Sequence, residues 1–334
     1  MIRPFGTLPG GETVNEVTLR AGSLEAAVLT YGATLRDLRL HGRPLVLGLN
    51  TLEDYQAHGA YFGGTCGRYA NRIAAGRFTL DGVSHQVTCN EKGRTHLHGG
   101  QCGYDKKLWQ IAELSASSLL LTLTSPDGEE GYPGNVDLRC RYTLLETGTL
   151  RLEMSAETDQ PTLVNLAHHS YFNLDSSGDI SGHRLQILAD RYLPVDADCI
   201  PTGGILPVAG TVFDFRTKRP IRQTGADHAR VLYDHNFCVA DTPSETLRLA
   251  AVLEGETSGV SMELWTTEPG VQFYDASGLG LPYEGLEGRR YGQHAGLCLE
   301  PQRWPDSPNH TEFAGAVLRP GTTYSQVTEF RFQP

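Results

Sequence analysis

The chain has 334 residues and carries 39 acidic side chains against 28 from Lys and Arg, which gives a formal net charge of −11. Nucleic acids and anionic membrane surfaces are held by Lys and Arg, so this charge argues against both as partners. The N-terminal segment lacks the apolar core of a signal peptide, and the longest apolar run, near residue 120, is far too short to cross a bilayer. Seven widely spaced cysteines without a CxxC pair predict reduced thiols in a cytoplasmic protein rather than disulfides or a zinc site.

Alternation of apolar and polar residues dominates the chain, and this period of two predicts strands. The first segment that departs from it, residues 50–63, predicts a short helix or turn capped by Asn50 or Thr51. Next, the pair Asp81–Gly82 between two short alternating runs predicts a type I′ hairpin. Residues 136–158 predict a longer hairpin with one buried face.

Towards the C-terminus, a Pro269–Gly270 turn is expected to join two alternating strands over residues 261–276, and residues 322–333 predict a closing strand. The sequence has no sustained helical period, no phosphate-binding glycine motif, no linker and no repeat of fixed length. We therefore predict an all-β fold, a large sandwich or barrel, in one domain over residues 1–334.

Five segments combine polar and aromatic residues more densely than a structural strand requires. A polar ligand needs several converging donors and acceptors, so the presence of all five predicts a site for such a ligand. The segments are residues 67–78, 95–100, 167–174, 233–237 and 296–309.

Histidines mark two of these segments. His96 and His98 are expected to share one face of a strand, a spacing that suits a metal or a substrate. The first carboxylate after them is Asp105, which is too distant for a common metal motif, and backbone hydrogen bonds in a turn are the alternative. His168 and His169 are adjacent, and neighbours in a strand point to opposite faces, so only one of them is expected to serve the site.

Charged residues mark the other segments. Glu300 ends an apolar run where a strand leaves the core, either as a site carboxylate or as the salt-bridge partner of Arg303. Asp234 lies among aromatic residues, either in the site or hydrogen-bonded in a turn. Arg68 and Arg72 each need oxygen partners, which a carboxylate or a ligand would supply.

In this order, the segments resemble the aldose 1-epimerase, or galactose mutarotase, family over essentially the whole chain. The resemblance implies a large antiparallel β-sandwich, the galactose mutarotase-like supersandwich, in agreement with the period of two. It also implies interconversion of the α and β anomers of free aldohexoses such as galactose and glucose, with no metal and no organic cofactor. The resembling stretches are GRYANRIAAGRFTLDG, HLHGG, NLAHHSYFNL, YLPVDADCIPTGGILPVAGTVFDFR, YDHNFC, PGVQFY and GLCLEPQRWPDSPN.

The resemblance also implies roles for residues whose motifs match. His169, in the HSYFNL stretch, is expected to act as the general acid, and Glu300, in CLEPQ, as the general base. The family more often has Asn where this chain has His168, so His168 is expected to support the site or to pack behind it. The residues expected to bind the substrate are Asn71, Arg72, His98, Asp234 and Gln272.

Anomer exchange requires a base for the C1 hydroxyl and an acid for the ring oxygen. Ordinary pKa values near 4.3 for Glu and 6.5 for His suit these tasks at neutral pH. The expected partner is a small monosaccharide, bound by a monomer or homodimer. Three alternatives remain: a hexose-6-phosphate 1-epimerase with basic residues around the phosphate, a non-catalytic carbohydrate-binding protein, and a glycosidase that uses Asp234 and Glu300.

Overall fold

The computed structural model describes residues 1–57, 60–225 and 228–334. These residues form one α-helix, α1 Leu52–Ala57, and five short 3₁₀ turns, at Ala74–Gly76, Tyr104–Lys106, Glu129–Gly131, Leu286–Gly288 and Ser307–Asn309. Within the described ranges no helix has the length and apolar character that a membrane crossing requires. The strands are, in chain order, β1 Ile2–Thr7, β2 Thr13–Ala21, β3 Leu24–Leu29, β4 Thr34–Leu40, β5 Arg43–Pro44, β6 Thr65–Cys66, β7 Arg72–Ile73, β8 Arg77–Leu80, β9 Val83–Gln86, β10 His96–Leu97, β11 Gln110–Leu114, β12 Ser118–Ser125, β13 Val136–Leu145, β14 Thr149–Thr158, β15 Thr162–Leu163, β16 Ala167–His168, β17 Arg184–Ile187, β18 Arg191–Tyr192, β19 Leu206–Pro207, β20 Arg219–Pro220, β21 Asp234–Cys238, β22 Arg248–Glu254, β23 Ser261–Thr266, β24 Gly270–Tyr274, β25 Cys298–Gln302, β26 Val317–Leu318 and β27 Tyr324–Gln333.

Three antiparallel sheets and several two-stranded ladders contain these strands. One five-stranded sheet has the order β1-β2-β3-β4-β5, and a second has the order β19-β18-β21-β24-β25. The nine-stranded sheet has the order β11-β12-β13-β14-β27-β23-β22-β17-β20, so the C-terminal strand lies near its centre. The ladders pair β10 with β7, β15 with β26, β16 with β6 and β8 with β9. The predicted all-β fold, a large antiparallel β-sandwich, is confirmed.

The main apolar core is shared by the sheets. Every second residue of β13 is buried, and β13 pairs along its whole length with β14, which confirms the hairpin predicted over residues 136–158. The largest buried apolar cluster includes Val17 of β2, Phe273 of β24 and Phe330 of β27, so all three sheets contribute to it. The assignment of residues 1–334 to one domain stays a prediction.

Two turn predictions are confirmed by backbone geometry. Asp81 and Gly82 both have positive φ, 50° and 81°, which is the conformation that a type I′ turn requires between β8 and β9. Thr51 caps α1, because its Oγ1 accepts the Asp54 N–H at 3.2 Å while the Asp54 carboxylate accepts the Thr51 N–H at 3.2 Å. Residues 58 and 59 of that segment lie outside the described residues.

The prediction of a hairpin around Pro269–Gly270 is wrong. β23 pairs with β22 and β27 in the nine-stranded sheet, whereas β24 pairs with β21 and β25 in the second five-stranded sheet. The chain therefore crosses from one sheet to the other at this point. A turn dipeptide predicts a change of direction, but distant strands decide which partner the next strand meets.

Arg68 forms no ion pair with a carboxylate of the described residues, and it does not line the cavity described below. Its buried guanidinium donates to four backbone carbonyl oxygens and to the hydroxyls of Ser125 and Thr162. The carbonyl acceptors belong to Ser125, Pro126, Pro133 and Gly134. This arginine therefore ties the loop between β12 and β13 to Thr162 of β15.

Arg68→Met should lower the free energy of unfolding by about 3 kcal/mol or more, because buried carbonyl oxygens lose their donors. Urea unfolding followed by fluorescence measures this. The control is Arg319→Met, which removes an exposed ion pair with Asp81 and should leave the unfolding midpoint at the wild-type value. Equal midpoints for the two variants would contradict the structural role of Arg68.

Candidate active site

Three neighbouring strands of the second five-stranded sheet carry polar residues on one face. β24 pairs with β21 on one side and with β25 on the other, so Asn236, Gln272 and Glu300 lie side by side in one row. Side chains two residues apart share a face, which adds a row on each side. We call these nine positions the site floor: Asp234, Tyr274 and Cys298; Asn236, Gln272 and Glu300; Cys238, Gly270 and Gln302.

The intervening residues of the same strands explain why this face is fixed. Phe237, Val271, Phe273 and Leu299 point to the other side and belong to the main apolar core. A slip of one residue in the pairing would expose these side chains and bury the polar ones against the core. The motifs DHNFC, GVQFY and CLEPQ thus combine a core-forming face with a polar face.

A cavity of about 410 Å³ lies over the floor, and it is lined by all seven residues that the sequence predicted. Loops at the ends of short ladders bring in the residues that do not belong to the floor. Three tyrosines also line it, and sequence reasoning missed them because an aromatic residue by itself gives no sign of whether it belongs to a site or to the core. The seven are Asn71, Arg72, His98, His169, Asp234, Gln272 and Glu300, and the tyrosines are Tyr61, Tyr171 and Tyr274.

The adjacent histidines have opposite surroundings, as strand alternation predicted. His168 is the last residue of β16, and its ring nitrogens lie 3.4 Å from the Tyr142 hydroxyl and 2.7 Å from Ser170 Oγ. His169 faces the cavity, with Nε2 at 3.7 Å from Glu300 Oε1. His168 is thus a buried structural residue behind the site.

His96 and His98 do not share a face, contrary to the prediction. β10 ends at Leu97, and a positive φ of 50° at His98 turns its ring away from the strand direction. His96 is held by the Thr88 carbonyl and the Tyr132 hydroxyl, both at 2.7 Å. Only His98 reaches the cavity.

Arg72 is the centre of a charged cluster. Glu91 accepts two hydrogen bonds from its guanidinium, at 2.8 and 2.9 Å, and Asp234 Oδ2 lies 3.4 Å from Nη1. Asp234 also accepts the side-chain N–H of Gln272 at 2.6 Å. Sequence analysis did not single out Glu91, whose local signal was only a charge near the HLHGG stretch.

Burial changes the acid–base properties of the site. Desolvation raises the pKa of Glu300 well above its ordinary value, and Asp234 raises it further while Arg72 lowers it. Desolvation lowers the pKa of His169 to about 4, opposed by its own backbone and by Asp234. Oε2 of Glu300 is buried without a hydrogen-bond partner. The ordinary pKa values assumed from the sequence therefore do not apply to these two groups.

The salt bridge considered for Glu300 is not formed. Arg303 Nε instead lies 3.4 Å from Oε2 of Glu268, on the other side of the strand. His98, His169 and Glu300 are the described residues whose ligand atoms come close enough to hold a metal, within 4.8 Å of one another. Nδ1 of His98 accepts the Asn71 N–H at 3.1 Å, which leaves the proton of the neutral ring on Nε2. His98 thus presents a donor to the cavity, and the three residues fit a metal poorly.

Comparison with known proteins agrees with this geometry. The family model for aldose 1-epimerase matches residues 15–331. The chain belongs to the aldose 1-epimerase family. It is 42% identical to the galactose mutarotase of Mus musculus, over 98% of this chain and 97% of that protein, and 38% identical to the aldose 1-epimerase of Escherichia coli K12, over 97% and 96%.

Solved structures of aldose 1-epimerase relatives share the fold. A GalM/aldose epimerase homologue from C. elegans superposes with a TM-score of 0.90 at 29% identity and covers 96% of this chain and 99% of its own. Galactose 1-epimerase from Lactobacillus acidophilus gives 0.86 at 29% identity and covers 100% and 98%. The supersandwich implied by the sequence resemblance is confirmed.

His168 should make folding stability sensitive to acid. Burial, with a smaller contribution from His169, lowers the His168 pKa to about 3, whereas an unfolded histidine titrates near 6.5. Below pH 6.5 the unfolded chain binds a proton that the folded chain does not, so stability is full above pH 6.5 and falls towards pH 3. His168→Asn should reduce the slope of unfolding free energy against pH by about 1.4 kcal/mol per pH unit near pH 5.

Urea unfolding of both proteins at several pH values between 5 and 7 measures this slope. His41→Asn is the control, because it makes the same replacement at an exposed position and should leave the wild-type slope. Parallel curves for wild type and His168→Asn would contradict the burial of a neutral ring at position 168.

Proposed function

We propose that the protein is an aldose 1-epimerase that interconverts the α and β anomers of free aldohexoses, with galactose and glucose as the first candidates. The observation that carries this proposal is the pair Glu300 and His169, whose side chains come within 3.7 Å at the cavity. Membership of the family supports the reaction, and relatives named galactose mutarotase support galactose as a substrate.

Ring opening needs a base at the O1 hydroxyl and an acid at the ring oxygen O5. The Glu300 carboxylate removes the O1 proton, the C1–O5 bond breaks as C1=O forms, and His169 gives its Nε2 proton to O5. Both oxygens are bonded to C1, so the base and the acid must lie close together, as these two do. Nδ1 of His169, at 3.5 Å from Cys298 Sγ, keeps its proton throughout.

Closure reverses these transfers on the other face of the aldehyde, after rotation about C1–C2. O5 attacks C1, His169 takes the O5 proton on Nε2, and Glu300 returns its proton to O1. The pair alternates between carboxylate with imidazolium and carboxylic acid with neutral imidazole. Burial favours the uncharged form and so offsets the preference for the charged form that the same groups have in water.

The remaining polar residues would hold the sugar in the reactive orientation. Asp234 and Gln272 supply an acceptor and an amide on the floor, Arg72 supplies a charged donor, and His98 presents an N–H donor. Asn71 forms the turn beside them, with its backbone N–H bound to His98. The three tyrosines supply apolar surface for the carbon skeleton of the ring.

Glu300→Gln and His169→Asn should each lower kcat by about 100-fold or more, since one positioned proton-transfer group typically contributes roughly 10²- to 10⁴-fold. Polarimetry of freshly dissolved α-D-galactose and α-D-glucose at neutral pH, with EDTA present, measures the rate. His168→Asn is the matched control and should keep most of the activity, because that ring faces away from the cavity. Near-normal turnover by Glu300→Gln would refute its role as base.

Arg72→Ala and Asp234→Ala should raise KM in the same assay, because they remove groups that hold the sugar.

Two other functions predict different results. A glycosidase would release reducing sugar from galactosides, and a binding protein would bind galactose without accelerating the change in its optical rotation. Either outcome would contradict the proposal.

A hexose-6-phosphate 1-epimerase is the rival activity, and the charges around the cavity oppose it. Among the described lining residues Arg72 is the one Arg or Lys, and Glu91 and Asp234 already neutralise its charge. Lys106 lies over the Tyr61 ring at 4.9 Å, but its ammonium is bound to Asp105 at 2.7 Å. Phosphate is usually held by Arg or Lys that is free to bind it.

Galactose 6-phosphate should therefore react with a kcat/KM at least about tenfold below that of galactose, a difference of roughly 1.4 kcal/mol. Coupled assays with anomer-specific dehydrogenases compare the two sugars, with the spontaneous rate subtracted for each. A higher kcat/KM for the phosphate would favour the rival activity.

We further propose a cytoplasmic monomer or homodimer whose partner is a free monosaccharide. The state of the cysteines supports this location, because all seven are free thiols, as a reducing compartment maintains them.

A further inference from the structure

Glu91 lies beside the cavity without lining it, and it binds the cavity's arginine with both carboxylate oxygens. Oε2 accepts Arg72 Nε–H at 2.8 Å, and Oε1 accepts Nη2–H at 2.9 Å. The Thr95 hydroxyl donates to the same carboxylate at 2.8 Å. The side chain of Arg72 is 10% exposed and that of Glu91 is 20% exposed, so this contact is largely shielded from water.

The two-point contact fixes the plane of the guanidinium. Because Glu91 occupies Nε and Nη2, Nη1 is the nitrogen that remains for other partners. It lies 3.4 Å from Oδ2 of Asp234 and is available to a ligand. A guanidinium bound through a single nitrogen would rotate about its last bonds and present its donors in several directions.

The same contact sets the charge next to the cavity. One guanidinium and the carboxylates of Glu91 and Asp234 carry a formal net charge of −1. Other cations nearby in the described chain are already paired: Lys92 and Arg94 with Asp198, and Lys106 with Asp105. The two carboxylates therefore more than neutralise the positive charge of Arg72, so an anionic sugar would meet net negative charge in this cavity.

We infer that Glu91 is a positioning and specificity-determining residue that holds Arg72 in one orientation and cancels its charge, so that the cavity accepts neutral sugars and discriminates against anionic ones such as uronic acids and sugar phosphates. This inference rests on the proposed epimerase function, and it concerns which sugars react rather than how they react.

The two effects of Glu91 can be separated by substitution. Glu91→Gln removes the charge while it keeps an oxygen that can accept from Arg72. Glu91→Asp keeps the charge but is too short to reach both donors. One unit charge at roughly 8 to 10 Å from an anionic ligand, in a medium of intermediate dielectric, changes its binding by about tenfold.

The experiment compares kcat/KM for galactose, galacturonate and galactose 6-phosphate in the wild type and both variants, by polarimetry. For Glu91→Gln we expect the preference for galactose over each anionic sugar to fall about tenfold, the effect of that one charge. For Glu91→Asp we expect KM for galactose to rise severalfold while the preference is retained. The matched control is Glu25→Gln, which makes the same replacement in an exposed ion pair with Arg20 and should leave the preference unchanged.

An unchanged preference in Glu91→Gln would overturn the charge role, and an unchanged KM in Glu91→Asp would overturn the positioning role. If Glu91→Gln does not fold, loss of the preference in Glu91→Asp would overturn the charge role. If the wild type does not accelerate mutarotation of galactose, the proposed function fails instead. Calorimetric binding of galactose and galacturonate to wild type and Glu91→Gln then still tests the inference, and equal affinity ratios in the two proteins would overturn it.

Discussion

The site depends on the burial of a polar sheet face under a cavity. β21, β24 and β25 keep Asp234, Gln272 and Glu300 on that face because the alternate residues form part of the main apolar core. The free energy of the core thus fixes the register, and the register fixes where the polar atoms lie. Removal from water then moves the Glu300 pKa up and the His169 pKa down, which suits the proton exchange that we propose for this pair.

The buried arginine beside the site floor is fully paired. A buried cation is costly unless it is paired, and Arg72 is paired on two sides, by Glu91 and by Asp234. The pairing also leaves the guanidinium rigid, with one edge available to a ligand. Arg68, four positions earlier, satisfies the same need for oxygen partners with backbone carbonyls and holds the loop between β12 and β13 instead. Two arginines in one motif thus serve different purposes, and their surroundings alone distinguish them.

The two histidine pairs show when strand alternation predicts the orientation of a side chain and when it does not. Strand alternation correctly predicted that His168 and His169 face opposite ways. Although β16 ends at His168, the backbone of His169 stays hydrogen-bonded to Gly63 and Gly64, so the alternation continues. The same reasoning failed for His96 and His98, since β10 ends between them and His98 adopts a positive φ. Where a two-residue strand stops depends on its partner β7, which lies more than twenty residues earlier.

The sequence by itself determined the all-β pattern and the Asp81–Gly82 turn, because strand alternation and turn conformations follow from neighbouring residues. The resemblance to the aldose 1-epimerase family indicated the residues that meet at the cavity. Only the tertiary structure decided that β23 and β24 enter different sheets and that Glu91 binds Arg72. It alone also decided the pKa shifts of Glu300 and His169. Sheet partners, ion pairs and desolvation all depend on groups that are distant in the chain, and no short stretch of sequence encodes their distances.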